Sequence, residues 1–330
     1  MPAIHLLNPL WDPSGGSEWR TISLFRLLEP HAEVDAWTEY TPHAAMLAEI
    51  PVREMLKLQR FPRGGTFVFI GAYWEIGGWL RMAKPERVIL VYNVVDPETL
   101  DFRIRQIEAA TGKPVELVFA SEMMARHAGG RRGVVELSPI DLGAFSPGSQ
   151  EAAATSESSG IVVGRHSRDQ AFKHHPDDPE LYRRLVETGC RVKLLGGTCL
   201  TEEVNRRMGE SANGIELLAA NSVPVPEFLR SLDVFFYRTD PAWTEPYGRV
   251  VAEAMAAGLP CVLENRGGYT SLIRDGENGF LFTCENEAFD RLQSLKEDRQ
   301  LRTRIGAAAR ASIRASYDEE NRKVVEFYMR

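Results

Sequence analysis

The chain has 330 residues, of which 44% are hydrophobic and 26% charged, with a formal net charge of −7. That length is too great for one small core and fits two domains of ordinary size. The acidic balance argues against nucleic acid as a partner, which would call for a basic face, and no apolar run approaches the ~18 residues of a membrane span.

The opening residues, MPAIHLLNPLWD, lack the basic start and long apolar core of a signal peptide. Four cysteines (Cys190, Cys199, Cys261 and Cys284) form no CxxC pair, so neither a zinc site nor a disulfide scaffold is suggested. The expectation is a cytoplasmic protein with reduced thiols. Strand-like runs follow at 3–7, 34–37, 67–70, 88–92, 117–120 and 134–137, separated by helix-like stretches such as 16–28 and 98–110. Alternation of apolar, β-branched strands with helices predicts an α/β fold with a parallel sheet covered on both faces. The stretch PVREMLKLQR, 51–60, reads as a helix whose Arg53, Lys57 and Arg60 fall at i, i+4 and i+7. That basic stripe is either a solvated face or a contact for anionic lipid or an acidic glycan. Trp11, Trp19, Tyr73 and Trp74 lie near expected strand ends or the glycine pair that follows the first strand, where aromatic rings serve either the core or a sugar.

The segment PGSQEAAATSESSG, 147–160, is small, polar and aperiodic, as an interdomain linker is. After it the alternation restarts, with strands expected at 161–163, 192–195, 215–218, 234–237, 261–263 and 280–282, and helices at 179–187, 226–231 and 247–257. The chain therefore divides into two Rossmann-like, doubly wound domains, 1–150 and 151–316, whose ligand crevices lie at the carboxyl ends of the strands. A ligand shared between them would sit in a cleft. His174 and His175 are adjacent, a poor spacing for shared metal ligation, and read as loop residues.

The stretch EPYGRVVAEAMAAGLPCV, 245–262, holds the sharpest pattern. Pro246 suits the first turn of a helix, and Gly258 followed by Pro260 stops one. The helix between is apolar or small nearly all round, which implies burial, yet it carries Glu253. A buried carboxylate is costly unless paired or hydrogen-bonded. Either Arg249 pairs with it one turn earlier, or it accepts hydrogen bonds from ligand hydroxyls. Glu245 stands outside the helix, in the loop where open α/β sheets bind ligands. The backbone N–H groups of Tyr247, Gly248 and Arg249 between them suit a phosphate.

This run resembles the E-x7-E signature of retaining glycosyltransferases of the GT-B fold, especially family four. GGYTSLIRDGENGFLF (267–282) is similar to the segment that follows the signature in that family, with Ser271 where a glutamate is usual. VGRHSRDQAFK (163–173) resembles its strand-loop with arginine and lysine. LSPIDLGAFSP (137–147) resembles the stretch closing the first domain, with Ser138 and Pro139 in place of the usual residues. DPSGGSEW (12–19) is similar to its first glycine loop.

The resemblance implies a GT-B enzyme that moves a sugar from a nucleotide diphosphate donor to a glycan or lipid-linked acceptor. It implies no cofactor and no metal, and a last helix, 317–330, packed on the first domain. A peripheral contact with the inner face of a membrane is a further expectation. Arg165 and Lys173 match the pair that neutralises the diphosphate, with Arg168 a rival for either place. Glu245 matches the glutamate near the donor sugar and Glu253 the ribose-binding one. Gly15, Gly16, Tyr247, Gly248 and Arg249 complete the donor site, the loop 221–226 meets the base, and Glu18 and Asn93 stand near the sugar or acceptor. Asn93 stands where the family often has a histidine, so no proton shuttle is expected there. Two other readings stay open: a nucleotide-sugar epimerase or hydrolase on the same fold, and a degenerate scaffold subunit.

Overall fold

A computed structural model describes residues 2–56, 58–147 and 160–330. The chain forms two compact units, Met1–Ile140 with Tyr317–Arg330, and Asp141–Ser316. The division falls at Ile140, ahead of the expected boundary at 150; of the expected linker, residues 148–159 lie outside the described residues.

The first unit is built on seven parallel strands: β1 (Ala3–Leu7), β2 (Glu33–Thr38), β3 (Val52–Glu54), β4 (Thr66–Ile70), β5 (Arg87–Tyr92), β6 (Val115–Phe119) and β7 (Val134–Val135). Their order is β3-β2-β1-β4-β5-β6-β7, so the winding reverses between β1 and β4, the place where open α/β sheets take ligands. Ile4, Leu6, Val68, Ile70, Ile89, Val91 and Val118 supply one buried layer, packed with Ile22 and Leu24 of helix Gly16–Leu28 and with Val324, Phe327 and Tyr328. Tyr317–Arg330, which holds the last turns of the helix Arg299–Tyr328, belongs to this unit. Tyr317 donates its hydroxyl to the Ser138 carbonyl at 2.8 Å, and Arg87 donates to the Phe327 carbonyl at 2.7 Å.

The helix expected over 51–60 is not formed. Val52–Glu54 pairs in parallel with Ala36–Thr38 as the edge strand, and Leu56 and Arg60 close a tight turn. This short edge strand has no buried residue, Val52 being half-buried and Arg53 and Glu54 exposed, so no core face imposes a two-residue alternation on its sequence. The spacing of Arg53 and Arg60 consequently does not make a helical stripe, and Lys57 lies outside the described residues.

The second unit holds β8 (Val162–His166), β9 (Arg191–Leu195), β10 (Ile215–Leu218), β11 (Val234–Tyr237), β12 (Cys261–Glu264) and β13 (Phe280–Phe282). Their parallel order, β10-β9-β8-β11-β12-β13, repeats the first winding and reverses between β8 and β11. Strand β8 runs on through Arg165 and His166, both buried. The helix expected over 247–257 is Arg249–Ala256, shorter at its start because Gly248 is its N-cap, with φ +82°.

Candidate functional site

The loops after β8 and β11 meet at the reversal of the second sheet. The chain leaves β8, makes a single turn at Ala171–Lys173, and accepts a hydrogen bond at the Phe172 carbonyl from the Asp240 N–H (3.2 Å) beyond β11. Lys173 Nζ then lies 2.7 Å from Glu245 Oε2, with the two side chains only 10% and 16% exposed. The Tyr237 hydroxyl donates to the same oxygen at 2.9 Å, and the ammonium sits 4.7 Å from the Trp243 ring centroid, a cation–π distance. Burial opposes the charge on Glu245, but the Lys173 ammonium and the two hydrogen bonds outweigh it and hold the carboxyl below its ordinary range.

Arg165 is turned inward beneath this pair. It donates to the carbonyls of Arg238 and Lys173, both at 2.5 Å, with its guanidinium 4.2 Å from the Tyr237 ring centroid. Fully buried Asp178 stands 3.8 Å from Arg165 and accepts from Arg238 at 2.5 Å. Arg238 also reaches Glu285 at 3.2 Å. The charges balance each other in place, which is what allows cations at such depth. Arg168 is half-buried in the same loop.

Helix Arg249–Ala256 begins immediately after. A Cβ on Gly248 would stand 2.6 Å from Tyr269 Cδ1, and the positive φ also disfavours any other residue. Tyr247 is buried beside it, and the Gly268 N–H donates to the Glu245 carbonyl at 2.8 Å. Within the helix, Arg249 Nε donates to Glu253 at 2.7 Å. Burial raises the Glu253 carboxyl above its ordinary range, with Arg249 working against that rise. His166 Nε2 is 3.3 Å from Glu253. Burial, with Arg165 and Arg249 nearby, pushes this imidazole down to about 3, so it is neutral at physiological pH.

In the first unit, Gly15 caps helix Gly16–Leu28 and Gly16 opens it, exposed. The Glu18 carboxylate is folded back so far over Gly15 that a Cβ there would collide with it. Ser17 donates to Glu18 at 2.8 Å and shares a 2.6 Å hydrogen bond with the exposed Tyr73. Glu18, in the first turn of that helix, is fully buried. Asn93 follows β5, its Oδ1 buried without a hydrogen-bond partner among the described residues. Trp74 is core, Trp19 donates to the Pro13 carbonyl, and Trp11 is exposed. Asn221, in the loop expected to meet a base, has φ +62°.

Residues 201–312, inside the second unit, match the family model described as glycosyl transferases group 1. The chain is 28% identical over 169 residues to a trehalose synthase of Pyrococcus horikoshii, which covers 47% of this chain and 40% of the relative. It is 33% identical over 93 residues to a D-inositol 3-phosphate glycosyltransferase of Nocardioides sp., covering 27% and 20%. The matches thus span at most two-fifths of these relatives' length. Among solved structures, Anabaena Alr3699/HepE in complex with UDP-glucose superposes with a TM-score of 0.76 at 18% identity, covering 100% of this chain and 98% of that one. That likeness fixes the fold as GT-B.

Sequence reasoning passed over several residues of this site. Tyr237 looked like a strand residue only. Trp243 lies two positions before Glu245, and that proximity was the available signal. Asp178 and Arg238 gave none, since their partner Arg165 is far away in sequence. Arg266 donates to the carbonyls of Thr239, Asp240, Pro241 and Trp243, so one side chain shapes the loop leading to Glu245. Among the described residues, no group of three or more His, Cys, Asp or Glu is placed to hold a metal ion, and no helix is long and apolar enough to cross a membrane.

Proposed function

We propose that the protein is a retaining, family-four glycosyltransferase that moves a sugar from a nucleotide diphosphate to a hydroxyl of a glycan or lipid-linked acceptor. The observation that carries this reading is the sequestered Lys173–Glu245 pair at the β8/β11 reversal, directly before the helix that bears Glu253. The group 1 family match and the UDP-glucose complex of the Anabaena neighbour support a nucleotide-sugar donor.

In this reading Lys173 meets the diphosphate, and its fixed charge favours the leaving group as negative charge develops. Arg165 acts through Lys173, whose carbonyl it holds, rather than from the surface. Glu245 faces the donor sugar and orients Lys173. The backbone at Tyr247 and Gly248 approaches the phosphates closely. Glu253 exchanges its contact with Arg249 for two ribose hydroxyls, which a carboxylate can accept together. Of the first unit's residues, Gly15 and Gly16 are the donor-binding candidates, and Glu18 and Asn93 the candidate sugar or acceptor contacts. Catalysis is positioning and electrostatics, with the cationic role assigned to Lys173 and none to a metal. The test is release of nucleoside diphosphate from a panel of nucleotide-sugars with glycan acceptors. Activity should survive EDTA and fall in Lys173→Met and Glu245→Gln. Turnover of donor without any acceptor would favour the epimerase or hydrolase reading instead.

A peripheral contact with anionic lipid is supported by the turn after β3. Leu56 and Leu58 are 52% and 61% exposed, and the stretch 51–65 carries four cations against one carboxylate in an otherwise acidic chain. Leu58→Glu should abolish co-sedimentation with phosphatidylglycerol vesicles; equal sedimentation of the variant would refute the contact.

A further inference from the structure

The carboxyl ends of β1, β2 and β4 carry a second constellation, built around an exposed indole. Trp11 is 44% exposed, four residues beyond the end of β1. The backbone that presents it is held in an unusual state. Leu10 is buried and has φ +53°, a left-handed conformation that a branched side chain adopts only at a cost.

That conformation is fixed from every side. Asn8 Oδ1 accepts from the Leu10 N–H at 2.9 Å, while its Nδ2 donates to the Ile70 carbonyl at 3.0 Å and so ties the ends of β1 and β4. The His43 N–H donates to the Leu10 carbonyl at 2.8 Å, and Thr38 Oγ1 to the Pro9 carbonyl at 2.9 Å. A buried leucine is thus forced left-handed, and the next residue is a large aromatic ring left in water. Packing alone would favour the reverse arrangement.

The ring has a prepared neighbour. Tyr40, after β2, meets Trp11 at 4.8 Å between centroids with the planes 69° apart, an edge-on contact that leaves ring face uncovered. Its hydroxyl is hydrogen-bonded to both the N–H and the carbonyl of Glu75, at 3.2 and 3.3 Å. Glu39 next to it accepts from the Gly77 N–H and the Trp79 indole N–H, which anchors the loop after β4. Tyr73, 38% exposed, stands in that same loop with its hydroxyl on Ser17. Three loops at the switch point of the first sheet therefore present rigid aromatic surface with exposed polar groups, Glu75 and His43, nearby.

We propose that Trp11 and Tyr40 form a saccharide-stacking subsite that takes a pyranose ring of the acceptor. A pyranose offers an apolar C–H face for the indole and equatorial hydroxyls for the surrounding polar groups, a combination an acyl chain lacks. As an acceptor site, it rests on the transferase reading; as a saccharide site, it stands by itself. The acceptor accordingly presents a sugar ring, and a lipid anchor, where there is one, is not what this subsite reads.

The test uses the full chain and four disaccharides, maltose, cellobiose, lactose and N,N′-diacetylchitobiose, with saturation-transfer NMR and tryptophan fluorescence as readouts. At least one should bind the wild type, and Trp11→Ala should weaken it by about tenfold or more. Tyr40→Phe, which keeps the ring but removes the hydroxyl that anchors it on Glu75, should weaken binding less than Trp11→Ala does. Nucleoside diphosphate affinity, titrated in parallel, should be equal in all three proteins. The subsite is overturned by no disaccharide binding to the wild type, by equal binding to Trp11→Ala, or by Trp11-dependent binding to phosphatidylglycerol vesicles in place of sugar. Loss of nucleotide binding alone, with saccharide binding intact, would instead remove the donor reading.

Discussion

Removing Glu245 exposes the logic of its site most directly. Lys173 Nζ is 2.7 Å from the carboxylate, and both side chains are mostly buried. At an effective dielectric of about 20, that separation corresponds to roughly 6 kcal/mol of attraction before desolvation is charged against it. The net worth of the pair is far smaller, but a single truncation strands the other charge, which for buried pairs costs about 3–5 kcal/mol. The residual exposure here lets Lys173 recover some water, so Glu245→Ala should lose about 2–3 kcal/mol. Lys173→Met should lose a similar amount, since it leaves Glu245 with only the Tyr237 hydroxyl and nearby neutral groups. The double variant Lys173→Met/Glu245→Leu buries neither charge and should lose less than the two single losses combined, with a coupling of about 1–3 kcal/mol. Urea unfolding at pH 7, followed by fluorescence of Trp243 and its neighbours, measures all three. The pH dependence has a fixed sign: Glu245 is depressed in the folded state, so its contribution is present above the ordinary carboxylate range and lost as pH falls below it. Additive losses, with coupling under about 0.5 kcal/mol, would refute the pairing.

Two further outcomes follow from the same unit. Gly248→Ala combines φ +82° with a Cβ placed 2.6 Å from Tyr269 and 2.9 Å from that residue's own Cβ, so it should cost about 2–4 kcal/mol and lower the thermal midpoint clearly; an unchanged midpoint would mean the cap is not as described. His166, held neutral down to about pH 3 against an ordinary 6.5, makes the folded state bind fewer protons than the unfolded one. Stability should fall as pH drops below 6.5, by on the order of 2 kcal/mol at pH 5 from this group, and His166→Asn should flatten that slope; an equal slope in the variant would contradict it.

The sheets were largely legible because their strands are apolar, β-branched runs with long helical stretches between. The runs 215–218, 234–237 and 280–282 coincide with β10, β11 and β13, and helix Gly16–Leu28 has its expected bounds. Local pattern failed where tertiary partners decide. Strand β8 continues through Arg165 and His166 because buried carbonyls and carboxylates receive them, and those partners sit at 178, 238 and 253. PVREMLKLQR carries a helical spacing of cations, yet an edge position beside β2 claims its first residues. Gly248 is left-handed because Tyr269, from the loop after β12, fills the space a side chain would need. Family resemblance assigns Lys173 and Glu245 to one site; their direct contact, across 72 positions, is beyond any local pattern.

The transferase reading requires that the second unit hold a nucleotide through Glu253. A thermal-shift titration with nucleoside diphosphates and nucleotide-sugars, on the wild type and Glu253→Ala side by side, tests it in one measurement. A ligand at 100 times its Kd should stabilise the wild type by about 2.7 kcal/mol, and the shift should be much reduced in the variant. Affinity in the wild type should also weaken as pH falls into the raised range of the Glu253 carboxyl, since the ribose hydroxyls need its ionised form. No shift with any nucleotide, or equal shifts in both proteins, would contradict the account.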